Sequence, residues 1–127
     1  MLFRSLLAAL ALGATGAVGS TYNYMAPIYL QVIKAFKAGD LEAARRFQSQ
    51  AIEIIAVMSR RGGLVAGKAM MKMIGLDCGP VRAPLQNLSR EALESLTREL
   101  DHVGFPSLAT IAGARSAPAA LESAGQK

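Results

Sequence analysis

Tryptophan is absent from the 127 residues, cysteine and histidine occur once each, and aromatics amount to only 6%. A single cysteine, Cys78, excludes an intrachain disulfide, and Cys78 with His102 is too little for a Cys/His metal cluster within the chain. A β-sandwich draws on Val, Ile, Thr and aromatic runs. This sequence is instead rich in Ala, Leu, Met and Gly, which fits helices packed through small side chains. Charge is sparse too, 18% against 52% hydrophobic, a balance that suits one globular unit with a core or a part of a larger one.

The net charge of +5 raises the question of a nucleic-acid partner. The basic residues are scattered from Lys34 to Arg98, several alternate with acids on helix faces, and no stacking aromatics accompany them. A solvated surface is therefore expected, with no nucleic-acid partner. Cys78 sits in a Gly-Leu-Asp-Cys-Gly-Pro turn and reads as a small, partly buried thiol. His102 lies near a helix C-terminus, where an imidazole complements the dipole. Neither is assigned a role.

The N-terminus carries two readings. Met1 to Arg4, followed by apolar Leu6 to Ala14 and small Thr15 and Ala17, has the pattern of a short secretory signal. Its apolar run is too short to span a bilayer. Ala8, Ala9, Leu10 and Ala11 equally suit a barrel helix packed on a sheet. Leu2-Phe3-Arg4-Ser5 is also the peptide encoded by the end of a common sequencing adapter, so the native sequence is expected to start near Leu6. The first reading makes the chain a small secreted helical protein that binds or supports. A mature N-terminus near Val18 would mark it.

Along the chain, Leu6 to Leu12 reads as a helix end stopped by Gly13. Gly16-Ala17-Val18-Gly19-Ser20, an apolar run between glycines, reads as a buried parallel strand. A helix is expected from about Pro27 to Ala38, with Pro27 in its first turn and Tyr29, Val32, Ile33 and Phe36 on one face. Asp40 caps the next, Leu41 to about Arg61, whose stripe is Ala44, Phe47, Ala51, Ile54, Ile55 and Met58. Leu64 to Ile74 follows, its Met70, Met71 and Met73 serving as adaptable core filler. After a proline-set connection, Ser89 caps a last helix to about Val103, with Leu93, Leu96, Leu100 and Val103 inward. Beyond Pro106 the Ala, Ser, Gly and Pro composition predicts a disordered tail. A lone buried strand leaves its N–H and C=O groups without neighbours, so the sequence reads as part of a larger α/β fold.

Several segments carry a resemblance. Gly16-Ala17-Val18-Gly19-Ser20-Thr21-Tyr22-Asn23 resembles the last barrel strand and following loop of the N-acetylneuraminate lyases. Leu7 to Ala14 is similar to the helix before that strand, and Ala35-Phe36-Lys37-Ala38-Gly39-Asp40 to the turn after the eighth barrel helix. Lys68-Ala69-Met70 and Gly79-Pro80-Val81-Arg82-Ala83-Pro84-Leu85 resemble a later helix and a Pro-rich connection. The helical matches point to the wider pyruvate-aldolase superfamily, which includes dihydrodipicolinate synthase. Gly-Ser-Thr-Tyr-Asn narrows it to the lyase branch, since the synthases usually carry Ser-Val-x-Ala-Asn there. Ala26 departs from the pattern, the lyases often having Gly at that position.

The resemblance implies an α/β fold: the C-terminal portion of a TIM (β/α)8 barrel plus a helical extension, mostly α-helical as a fragment. Residues 1–38 would be the barrel end, 39–108 the extension and 109–127 the tail. It implies a class I aldolase in which a lysine forms a Schiff base with a 2-oxo acid and a tyrosine relays protons. Sialic acid would give pyruvate and N-acetylmannosamine. Both catalytic residues belong to earlier strands, so no catalytic residue is assigned here, and Lys34, Lys37, Lys68, Lys72, Tyr22, Tyr24 and Tyr29 are set aside. Ser20 matches a serine that touches the hydroxylated tail of the sugar acid and is the one substrate-binding residue expected. Thr21 and Asn23 are expected as turn and cap residues. The resemblance brings no cofactor, metal or membrane partner, and places a parent homo-tetramer in the cytoplasm. Another 2-oxo-acid aldolase of the same superfamily is the alternative.

Overall fold

The computed structural model describes residues 4–109. Six helices follow one another: α1 Leu6–Ala11, α2 Tyr22–Lys37, α3 Leu41–Arg60, α4 Leu64–Met73, α5 Arg90–His102 and α6 Phe105–Leu108. The core forms where α2 and α3 pack as a helical hairpin. Gly39 makes that hairpin possible, because its φ of 76° reverses the chain at no Cβ cost. Asp40 then caps α3, its Oδ1 accepting from the Ala43 N–H at 2.9 Å, a contact worth about 1 kcal/mol.

The α3 stripe follows from helical periodicity. Ala44, Ala51, Ile54, Ile55 and Met58 are buried as expected, Phe47 is half-buried, and Ala43, Gln48 and Val57 join them. From α2 come Tyr24, Met25, Ile28, Tyr29, Val32 and Ala35. Leu6 of α1, Met70 of α4, Leu96 and Leu100 of α5 and Phe105 of α6 close the core.

α5 starts at Ser89, whose Oγ accepts from the Ala92 N–H at 3.2 Å. It is tied to the end of α3 by Glu99, which pairs with Arg60 at 3.0 Å and also with Arg61. Those hydrogen bonds, the one from Arg60 first and then that from Arg61, hold the Glu99 carboxyl below its ordinary value. The periodic pattern placed both arginines at a helix end but gave no sign of this partner.

Several expectations are corrected; Met73, expected as core filler beside Met70 and Met71, is 37% exposed. The helix expected from Pro27 begins at Tyr22, because a first turn runs into it across a kink at Met25 (φ −130°, ψ 22°). Pro27 lies just beyond the kink, where the resumed helix has no partner for its missing N–H. Among the described residues there is no strand: 14–19 is irregular, and Val18, expected to be buried, is 89% exposed. A strand exists only against a ladder partner, and none lies beside this segment. Cys78 is exposed rather than partly buried, because its turn projects from the helices. Leu93 is 39% exposed, on the solvent edge of the α5 stripe. Of the segment beyond Pro106 expected to be disordered, Ser107 and Leu108 instead end α6 and Ala109 follows it; the rest lies outside the described residues.

Candidate substrate-binding site

Ser20 is exposed at the rim of a cavity of about 420 Å³ lying between the start of α2, the end of α3 and the face of α4. The Ser20 carbonyl accepts from the Asn23 N–H at 3.3 Å, so the loop turns into α2 immediately after the serine. Asn23 and Ser59 add polar groups to the rim, while Tyr24, Met58 and Met71 give apolar lining. Arg4 reaches the same rim and donates to Ser59 Oγ at 2.8 Å.

Thr21, the next residue, is fully buried. It stands at the N-cap of α2, yet its hydroxyl makes no cap bond; it meets the Tyr29 hydroxyl at 2.8 Å instead. The expected capping role is thus replaced by a tertiary one. Tyr24 donates to the Met58 sulfur at 3.0 Å, and Gly67 leaves room for that phenol, since a Cβ there would stand 3.3 Å from it. The Tyr22 ring meets Tyr29 edge-on, with centroids 4.3 Å apart, and its hydroxyl is buried without a partner among the described residues.

Burial pushes the Tyr24 phenol up to about 12, with Tyr29 adding to it. Tyr29 also rises to about 12 through burial, partly offset by its bond to Thr21. Tyr22 is raised by burial alone. The Tyr24 and Tyr29 hydroxyls are engaged by the Met58 sulfur and the Thr21 hydroxyl, which leaves neither free to relay a substrate proton.

The lysines are equally ill placed for addition to a ketone. Lys34, Lys37 and Lys72 are exposed, and Lys72 pairs with Asp77 at 2.9 Å. Lys68 lines the cavity, but its ammonium donates to the carbonyls of Pro80 at 2.8 Å, Cys78 at 3.0 Å and Gly79 at 3.4 Å. All three of its donors are occupied. Among the described residues no group of three His, Cys, Asp or Glu is placed to hold a metal ion, and no helix is long and apolar enough to cross a membrane. The arrangement can hydrogen-bond a hydroxylated ligand at its rim and pack an apolar portion beneath it.

Ser20 was legible through the resemblance; Met58 and Met71 were legible only as apolar positions of α3 and α4, and Ser59 and Gly67 not at all. The Gly62-Gly63 turn is the local signal there, and it sets α4 against Tyr24 of α2 next to the end of α3.

The sequence model of the dihydrodipicolinate synthetase family matches residues 4–103. The chain belongs to that family. Within it, the chain is similar to N-acetylneuraminate lyases: 40% identical over 108 residues to that of Rattus norvegicus, covering 81% of this chain and 34% of the relative. The Homo sapiens lyase is 40% identical over 102 residues, covering 79% and 32%. A 4-hydroxy-tetrahydrodipicolinate synthase 1 of Streptomyces coelicolor is 38% identical over 88 residues, covering 68% and 29%. Among solved structures, the Proteus mirabilis N-acetylneuraminate lyase superposes with a TM-score of 0.76 at 39% identity, covering 80% of this chain and 35% of that one. The Aliivibrio salmonicida lyase gives the same TM-score and identity, covering 81% and 34%. The chain thus spans about a third of the length of the family members it matches. Its helical architecture is that of a part of the dihydrodipicolinate synthetase fold.

Proposed function

We propose that this chain forms the C-terminal part of a Schiff-base aldolase that cleaves N-acetylneuraminate to pyruvate and N-acetylmannosamine. Residues 1–38 supply the end of a (β/α)8 barrel and 39–108 the helical extension. The observation that carries this reading is the likeness to N-acetylneuraminate lyases at about 40% identity over some four-fifths of the chain. Ser20 at the mouth of a polar-rimmed cavity agrees with it. The chain contributes the contact to the hydroxylated tail, while the Schiff-base lysine and the proton-relaying tyrosine come from the part of the barrel that this chain does not span. The parent enzyme is a cytoplasmic homo-tetramer in this reading.

The test is a chimaera in which residues 6–108 replace the matching segment of the Proteus mirabilis lyase. Pyruvate release from N-acetylneuraminate is expected from the chimaera, and none from the 127-residue chain alone. A chimaera that folds and forms the pyruvate Schiff base but leaves N-acetylneuraminate intact would overturn the substrate assignment. The 38% identity to the Streptomyces coelicolor synthase supports a second reading, another 2-oxo-acid aldolase of the family. Turnover of a different aldehyde and pyruvate pair by the same chimaera would favour it.

A further inference from the structure

The Ser20 cavity depends on α4, a short helix with few large buried side chains. It is ten residues long; Ala66, Gly67 and Met70 are its buried side, and Ala69 and Met71 pack half-buried against the same core. Its N-cap is Gly63, which offers no side-chain bond to the first-turn N–H groups. The two residues before it, Gly62 and Gly63, have φ of 83° and 54°, a double-glycine joint held by the Gly63 N–H, which donates to the Met58 carbonyl at 3.2 Å.

A polar tie lies on its other side. Lys68 extends from α4 to the connection between α4 and α5 and donates to the carbonyls of Pro80, Cys78 and Gly79. Asp77 shapes the same turn: its Oδ1 accepts from the Gly79 N–H at 2.8 Å, and its carboxylate pairs with Lys72 one turn along α4. The Lys72–Asp77 pair is well exposed, with side chains 70% and 56% accessible, and is screened accordingly. The Lys68 side chain is half-buried but meets carbonyls of an exposed turn, and its advantage is that one ammonium makes three charge-assisted bonds there. Lys68 also lines two cavities, the one at Ser20 and another of about 490 Å³ between α4, α5 and the connection. Its stem is the partition between them.

We propose that Lys68 is a positioning residue of the Ser20 cavity: by tying its ammonium to the Cys78, Gly79 and Pro80 carbonyls, it fixes α4 and so sets the distance of the Gly67 and Met71 wall from Ser20. This rests on the reading of Ser20 as a substrate contact only for its consequence. The tie itself is tested without substrate, so the two can fail separately.

The experiment uses the full chain. Cys78 is its sole cysteine and is exposed, so a nitroxide label goes to one site, on a residue whose carbonyl Lys68 holds. Lys68→Met is expected to sharpen the spectrum of that label and to speed amide exchange through 64–73 and 76–81 by roughly tenfold or more, with α2 and the first two-thirds of α3 unchanged. Lys68→Arg, which keeps a cation with several donors, should restore both. Asp77→Asn, which weakens only the exposed pair, should leave α4 protected. Unchanged label mobility and exchange in Lys68→Met overturn the proposal. Equal loosening of α2 and α3 overturns it as well, because it makes Lys68 a general stabiliser. Where Lys68→Met does not fold, Lys68→Gln, which loses the charge but keeps a donor, takes its place: loosening confined to α4 and the connection supports the tie, and unchanged or general loosening overturns it.

Discussion

The Tyr29 phenol and the Thr21 hydroxyl meet at 2.8 Å in a fully buried contact, one residue past Ser20. This bond joins the loop that presents Ser20 to the middle of α2, the helix deepest in the core. Thr21→Val keeps the shape but leaves the Tyr29 hydroxyl without a partner, and Tyr29→Phe orphans Thr21 in turn. Each is expected to cost about 1–3 kcal/mol, read from urea unfolding followed by circular dichroism. The double variant should cost clearly less than the sum, since neither polar group is then left unsatisfied. Strict additivity would mean that the hydroxyls do not interact.

Alkaline pH probes the same region. Tyr24 and Tyr29 rise from an ordinary value of 10.0 to about 12 in the folded chain. A folded-state value above the unfolded one favours the protonated form in the folded state. The stabilisation is therefore complete below pH 10 and is lost as pH climbs through about 12. Phenolate absorbance is expected to show these two tyrosines ionising late, together with the loss of helical circular dichroism. All three tyrosines titrating near pH 10 while the helices persist would contradict the burial described above.

The local code of this chain was easily read, and its distant pairings were not. Asp40 and Ser89 announced two helices, because a cap is a bond between residues three apart. The stripe of α3 could be counted off for the same reason. Gly16 to Ser20 misled: strand formation depends on a neighbouring ladder, which no pattern within five residues can supply. Glu99 with Arg60 and Arg61, and Lys68 with the Cys78–Pro80 carbonyls, link residues far apart in sequence through long side chains. For Ser20 the position came from the resemblance, and the cavity around it from the meeting of α4 with the start of α2 and the end of α3.

Leu12 and Val18 are each 89% exposed, and Leu30 and Leu64 are at or above 60%. Covering one such side chain is worth roughly 1.5–3 kcal/mol, so a contact that buries Leu12 and Val18 on two copies gains several. The isolated chain is expected to self-associate at the concentrations used for sedimentation, which offsets the benefit of its net charge. Leu12→Lys with Val18→Lys should shift it toward monomer without changing helix content. A wild-type chain that sediments as a monomer and melts in one sharp transition would show that these residues do not drive association.

Ser20 itself is best separated from its surroundings in the Proteus mirabilis chimaera, where the rest of the barrel is present. A serine at the rim that binds a substrate hydroxyl, but does no chemistry, contributes to binding more than to the chemical step. Ser20→Ala is expected to raise KM for N-acetylneuraminate up to about tenfold, the loss of one neutral hydrogen bond, with kcat little changed. Trapping of the pyruvate Schiff base with borohydride should be unaffected, because pyruvate has no polyol tail. Ser20→Thr keeps a hydroxyl and should recover much of the binding, within the limit set by its extra methyl. An unchanged KM in Ser20→Ala would reduce the serine to a loop residue. A fall in Schiff-base trapping would place it nearer the reacting carbon than a tail contact allows.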